Sequence, residues 1–141
     1  MSSTVKQALP GLCEGWEEFQ HLFHRRTVKA GSVLLKEGQV ARNTFMIEEG
    51  CLRSAYDHKG RDITSQFFFD GEGVSSFESF QFGTPSLFRN EAVERTVLWS
   101  ISLTDLDRLM REIPALRGTV NDHLLHRMAY SMRQMLSFLR W

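Results

Sequence analysis

Apolar residues recur at spacings of three and four near both ends of the chain and at a spacing of two in between. Leu12, Trp16, Phe19, Leu22 and Phe23 fall on one helical face, so the first thirty residues are predicted to be helical. From Thr27 to Ser102 the texture changes to short β-rich segments punctuated by glycine: "TVKAGSVLLKEG", "NTFMIEEGCLRSAYDHKG", "RDITSQFFFDGEG" and "EAVERTVLWSIS". Within them "CLRSAYD" and "RTVLWSI" alternate polar with apolar positions, as half-buried strands do. Asp57 to Gly60 reads as a hairpin turn. Short strands with turn glycines roughly every ten residues predict a β-sandwich, barrel or jelly roll.

The helical period returns after Ser102, which is followed three residues later by Asp105 in a capping-box-like start. Pro114 ends that helix and suits the first turn of the next. From Pro114 to Trp141 the only further breaker is Gly118, which predicts a helix roughly 40 Å long at 1.5 Å per residue. Ile113, Leu116, Val120, Leu124, Met128, Met132, Met135 and Leu139 form one stripe, widened by Leu125, Ala129 and Leu136. So broad a face predicts contact with the β unit on one side and a partner helix on the other, with Val120, Leu124, Met128, Met132, Met135 and Leu139 at a dimer interface. Burial against its own domain alone is the plainer alternative. The pattern is still running at "LSFLRW", so the chain is expected to continue past Trp141 in the natural protein.

A chain of 141 residues fits one domain with a core of its own. Lys plus Arg and Asp plus Glu both number 17, so no general field draws in nucleic acid or an anionic membrane. Cys13 and Cys51 sit in no metal spacing and suit reduced thiols. The N-terminus has no signal-peptide pattern and no run reaches membrane-spanning length, so a soluble, cytoplasmic protein is expected.

Catalytic chemistry has little to build on. A metal enzyme on a β-roll needs about three converging ligands, and the strand region offers only His58, in a hairpin turn. His21 and His24 are assigned to the N-terminal helix, and His123 and His126 to the long helix. There is no nucleophile elbow or P-loop, and two cysteines are too few for most iron–sulfur clusters. Neither catalytic nor metal residues are assigned, and a non-enzyme is expected.

The residues "VKAGSVLLKEGQVARNTFMIEEGCLRSAY", 28–56, and "WSISLTDLDRLMREIPAL", 99–116, resemble the cyclic-nucleotide-binding domain of the Crp/Fnr transcription regulators. The first resembles the family's opening strands, with Gly31, Gly38 and Gly50 in turns. The second resembles its last strand and hinge, down to the proline before the long helix. The fold this implies is mainly β with flanking helices: a double-stranded β-helix (jelly roll) over residues 1–113, with an N-terminal helix, and a long C-terminal dimerisation helix over 114–141.

By the same resemblance, "GEGVSSFESFQFGTPSLFRNEA", 71–92, stands where the family has its phosphate-binding cassette. There a short helix aims its N-terminal amides at the cyclic phosphate. Gly73, Val74, Ser75, Ser76, Phe77, Ser86 and Leu87 are the implied ligand residues. Aligned without gaps back from the hinge proline, the family's glycine–glutamate pair falls on Ser75 and Ser76, its arginine on Ser86 and the following serine on Leu87. Both charged anchors are therefore missing. Neither Arg53 nor Arg89 is assigned as a substitute, although either could reach the pocket from a neighbouring strand. On the long helix, Arg127 and Ser131 match an arginine and a threonine that face the base end of the pocket. Phe67, Phe68, Phe69, Phe77, Phe80 and Phe82 either line the pocket or fill it.

The implied role is the ligand-sensing and dimerisation domain of a Crp/Fnr-like regulator with a non-standard or lost nucleotide site. Its implied partners are a second copy of the chain and a small effector, a cyclic nucleotide or another molecule. DNA would be met only through a C-terminal helix-turn-helix domain that this chain lacks, and no membrane is involved. The alternative is a stand-alone protein-interaction module with a filled roll.

Overall fold

A computed structural model of the chain describes residues 16–74, 79, 82–114 and 116–118. A short helix α1 (Trp16–Phe19) runs into a 3₁₀ turn (Gln20–Leu22). Eight strands follow: β1 (His24–Val28), β2 (Val33–Leu35), β3 (Asn43–Glu49), β4 (Leu52–His58), β5 (Arg61–Phe68), β6 (Gly73–Val74), β7 (Arg89–Ala92) and β8 (Thr96–Ser102). Helix α2 (Leu103–Glu112) comes next, and the chain is helical again at Pro114 and at 116–118. The strands form two antiparallel four-stranded sheets, ordered β1-β8-β3-β6 and β2-β7-β4-β5.

The helix expected over the first thirty residues stops at Leu22. His24–Val28 is a strand paired with β8, His24 opposite Ser100 and Val28 opposite Thr96. Four of its five residues are exposed, so it carries no alternating apolar signal, while Leu22 and Phe23 prolong the helical spacing past its true end. His24 accordingly belongs to β1. The β8 segment "TVLWSIS" also departs from its half-buried expectation, because both its faces are covered. Leu98 faces the roll's interior and Ile101 the helices.

Two apolar cores result. Between the sheets lie Val28, Phe45, Ile47, Leu52, Phe68, Val74, Ala92 and Leu98. On the other side of the first sheet, Met46 and Ile101 pack with Phe19 and Phe23 and with Leu103, Leu106, Leu109, Met110 and Leu116. Helix α2 starts as its sequence indicates: Ser102 Oγ accepts from the Asp105 amide at 3.0 Å. It ends before Pro114, where the Ile113 amide closes the last turn on Leu109 O at 2.8 Å.

Turn chemistry sets the register. β4 and β5 are joined by Lys59 and Gly60, both at positive φ (51° and 78°), the two-residue turn whose twist matches a hairpin. Gly50 carries the chain from the first sheet to the second at φ 128°, and a Cβ there would sit 2.5 Å from Thr96 Oγ1 and 2.8 Å from Thr96 Cα. Only glycine fits that crossing.

Candidate functional site

The cassette region is held by a few polar anchors. β6 pairs with β3 through Val74 opposite Phe45 and Gly73 opposite Met46, and Thr44 Oγ1 donates to Val74 O at 3.1 Å. Val74 is buried in the roll's interior. Ser79, also buried, accepts from the Ala41 amide at 3.0 Å and donates to Thr84 O at 2.5 Å. It thus pins the cassette to the segment entering β3.

Ser86 is pinned in a different way. Its amide donates to Gln39 O and its carbonyl accepts from the Gly38 amide, each at 2.8 Å. Its hydroxyl donates to Phe88 O at 2.7 Å and accepts from the Phe88 amide at 3.2 Å. The hydroxyl proton is therefore committed to its own turn. Leu87 is 78% exposed and faces away from the interior. Ser75, Ser76, Phe77, Arg127 and Ser131 lie outside the described residues, as do the interface positions Val120, Leu124, Met128, Met132, Met135 and Leu139. Of the expected ligand residues, the described structure places Gly73 and Val74 at the cassette's entry and Ser86 and Leu87 at its exit.

Arg53 and Arg89 are both accounted for. Residues alternate across a strand, so Leu52 and Ser54 point inward and Arg53 outward. Outside, Arg53 donates from Nε to Glu91 Oε1 at 2.6 Å, from Nη1 to Thr64 Oγ1 at 2.8 Å and from Nη2 to Asp62 Oδ2 at 2.6 Å. Arg89 pairs with the other oxygen of Asp62, with Glu37 at 3.3 Å and with Asp57 at 3.5 Å. Two guanidinium groups thus meet four carboxylates. The hydrogen bond from Arg53, with help from Arg89, holds the Asp62 carboxyl below the ordinary aspartate range. An anionic ligand would have to displace these carboxylates and would still be on the wrong face of the sheet.

The aromatic residues separate along the same alternation. Phe68 is 1% exposed and fills the interior, whereas Phe67, Phe69 and Phe82 are 48%, 55% and 73% exposed. Those three neither line nor fill the roll; Phe77 and Phe80 lie outside the described residues. Among the described residues no group of three or more His, Cys, Asp or Glu side chains could hold a metal ion. No described helix is long and apolar enough to cross a membrane.

Two antiparallel sheets, a segment stapled between β6 and β7, and a helical layer with a proline hinge agree with one family. The cyclic nucleotide-binding domain family matches residues 25–113, from β1 to the end of α2. The chain belongs to that family. No curated protein sequence matches it significantly. Among solved structures, the catabolite activator protein of Thermus thermophilus superposes with a TM-score of 0.73 at 22% identity, over 89% of this chain and 59% of that one. A variant of CooA from Carboxydothermus hydrogenoformans gives 0.74 at 14% identity, over 98% and 88%. The c-di-GMP responsive regulator CLP of Xanthomonas campestris gives 0.71 at 18%, over 87% and 62%. The chain therefore spans less than two thirds of the Thermus and Xanthomonas proteins.

Within this cyclic nucleotide-binding domain, two features escaped the sequence reading. Ser79 sits in a run of serines and phenylalanines with nothing local to single it out. Asn90 follows Arg89 in "FRNEA", where the charged neighbours draw attention, yet it is 2% exposed and faces Ser54 inside the roll. Counting back by twos from Ala92 was the available signal.

Proposed function

We propose that this chain is the effector-sensing and dimerisation domain of a Crp/Fnr-like transcription regulator, and that its effector is not held by the arginine–phosphate pair of the nucleotide binders. The observation that carries this reading is the commitment of every candidate anchor in the described part of the site. Ser86 stands at the arginine position with its hydroxyl proton spent on Phe88 O, while Arg53 and Arg89 are locked to carboxylates on the outer face. A charge-assisted hydrogen bond is worth about 1.5–3 kcal/mol. Its loss lowers affinity for a cyclic phosphate by roughly one to two decades.

In this reading the chain is not an enzyme. An effector bound in the roll alters how the long helices of two copies pair, and that pairing positions DNA-binding modules that follow residue 141. The c-di-GMP responsive neighbour supports it, since the same fold there answers an effector other than a cyclic mononucleotide. The test is to melt the protein with cyclic AMP, cyclic GMP and c-di-GMP in turn while following its mass by light scattering. The reading predicts a dimer, with little stabilisation by the two mononucleotides. A stable monomer in solution would overturn the dimerisation half, and strong stabilisation by cyclic AMP the effector half.

A further inference from the structure

Between β2 and β3 the chain crosses from the second sheet to the first through "KEGQVAR", residues 36–42. Its first four residues close a tight turn. The Gln39 amide donates to Lys36 O at 3.2 Å, and the Lys36 amide donates to Gln39 Oε1 at 3.1 Å. Gly38 takes the third position at φ 81°, the left-handed conformation that glycine allows there. "KEGQ" is therefore a short unit bonded to itself at both ends.

Each side of that unit holds a different part of the roll. Toward the cassette, the Gly38 amide donates to Ser86 O and the Ser86 amide to Gln39 O, each at 2.8 Å. Two residues on, the Ala41 amide donates to Ser79 Oγ at 3.0 Å. Toward the outer face, one oxygen of Glu37 accepts from the Asp57 amide at 3.1 Å and from Arg89 Nη1 at 3.3 Å. Asp57 stands two residues before Lys59, in the turn of the β4–β5 hairpin. Arg89 stands three residues past Ser86, so the exit of the cassette meets this turn twice. Bonds to a carboxylate from an amide and a guanidinium are among the stronger ones a surface can offer. Glu37 and Gly38 are consecutive in one closed turn, so the grip on the hairpin and the grip on the cassette move together.

We propose that the turn at 36–39 is a relay that couples the position of the cassette's exit to the order of the β4–β5 hairpin, with Glu37 as the residue that carries the coupling. Displacing Ser86 pulls on Gly38 and Gln39, withdraws Glu37 from the Asp57 amide and leaves the hairpin held by its own pairing alone. Such coupling is reciprocal, so a loosened hairpin also frees the cassette's exit. Residues 57–60 are exposed, which displays a change in the cassette on the outside of the roll. The effector reading enters only as the cause of cassette movement; the coupling itself belongs to the chain with nothing bound. Glu37 is a positioning residue and takes no part in holding an effector.

The experiment is residue-resolved amide hydrogen exchange on the 141-residue chain, comparing wild type, Gly60→Ala, Glu37→Ala and the double variant. Gly60 sits at φ 78° with open space where a Cβ would stand, so alanine strains the hairpin turn without touching a neighbour. Gly60→Ala is expected to accelerate exchange at the Asp57, Gly38 and Ser86 amides by about twofold or more, the low end of coupling within one bonded network. Glu37→Ala alone is expected to accelerate the same three amides, and in that background Gly60→Ala adds nothing at Ser86. The Cys51 amide, bonded to Thr96 Oγ1 beyond the opposite end of β4, keeps its wild-type rate. Unchanged protection of Ser86 in Gly60→Ala would overturn the proposal, as would an equal response of Ser86 with and without Glu37. Acceleration of Cys51 to the same degree as Ser86 would overturn it too, since that marks a general loosening. Where Gly60→Ala does not fold, Gly60→Asn sets the same comparison with a side chain that tolerates the left-handed region. Every one of these rates is read without ligand, so a failed relay leaves the effector reading to its own titrations.

Discussion

Replacing Arg53 by methionine removes a cation from the outer face of the second sheet while keeping most of the side chain's volume. The consequence follows from what it leaves behind. Glu91 is 15% exposed and loses the guanidinium that donates to it at 2.6 Å. A fully buried carboxylate stripped of its partner costs about 3–5 kcal/mol, and an exposed pair about 0–1 kcal/mol. Glu91 lies between these limits, and Arg89 Nε remains 3.7 Å away to hold part of the charge. The expected loss is about 2 kcal/mol for this pair, to which the exposed Asp62 adds a smaller part. For a chain of this size that lowers Tm by roughly 4–8 °C, measurable by calorimetry or circular dichroism. The double variant Arg53→Met/Glu91→Leu should regain most of the loss, since no carboxylate is then stranded. Effector affinity should not change in either variant. An unchanged Tm in Arg53→Met would refute the engagement of this arginine by Glu91. Weaker effector binding at unchanged Tm would place Arg53 in the site, against the geometry.

Ser79→Ala removes the acceptor for the Ala41 amide, which is buried, so stability should fall by about 1–3 kcal/mol. Amide exchange at Ala41 should accelerate selectively, and unchanged exchange there would show that Ser79 is not the anchor. Acid unfolding gives a signed test. Asp62 is held below its ordinary value, so its contribution is complete above about pH 3.9 and is lost as pH falls through its lowered folded value. The stability gap between wild type and Arg53→Met should therefore narrow below that pH; a gap that widens would contradict the assignment. Met128→Lys/Met132→Lys places two charges on the proposed helix seam and should convert dimer to monomer without unfolding the roll. An unchanged mass by light scattering would remove that stripe from the interface.

Some of this architecture was open to reading because the residues act locally. Asp57 to Gly60 specifies its hairpin through Lys59 and Gly60 at positive φ, and Ser102 caps α2 through its own hydroxyl. The β1 strand was hidden because His24, Arg25, Arg26 and Thr27 are exposed and carry no apolar period of their own. They become a strand by pairing with β8, about seventy residues away in sequence. The site divides in the same way. The absence of an arginine at Ser86 is visible in the letters, but the engagement of Ser86 by Phe88 is not. Nor can the letters show that Arg53 and Arg89 converge on Asp62 from two different strands. Asn90 and Ser54 become neighbours only through the pairing of β4 with β7.

The central claim is the proposal that no cation among the described residues of this cyclic nucleotide-binding domain is committed to a phosphate. Calorimetric titration of the purified chain with cyclic AMP tests it most directly. The account predicts no saturable binding in the micromolar range, and hence none of the roughly 2.7 kcal/mol stabilisation that a ligand gives at 100 times its Kd. Saturable micromolar binding of cyclic AMP would contradict it.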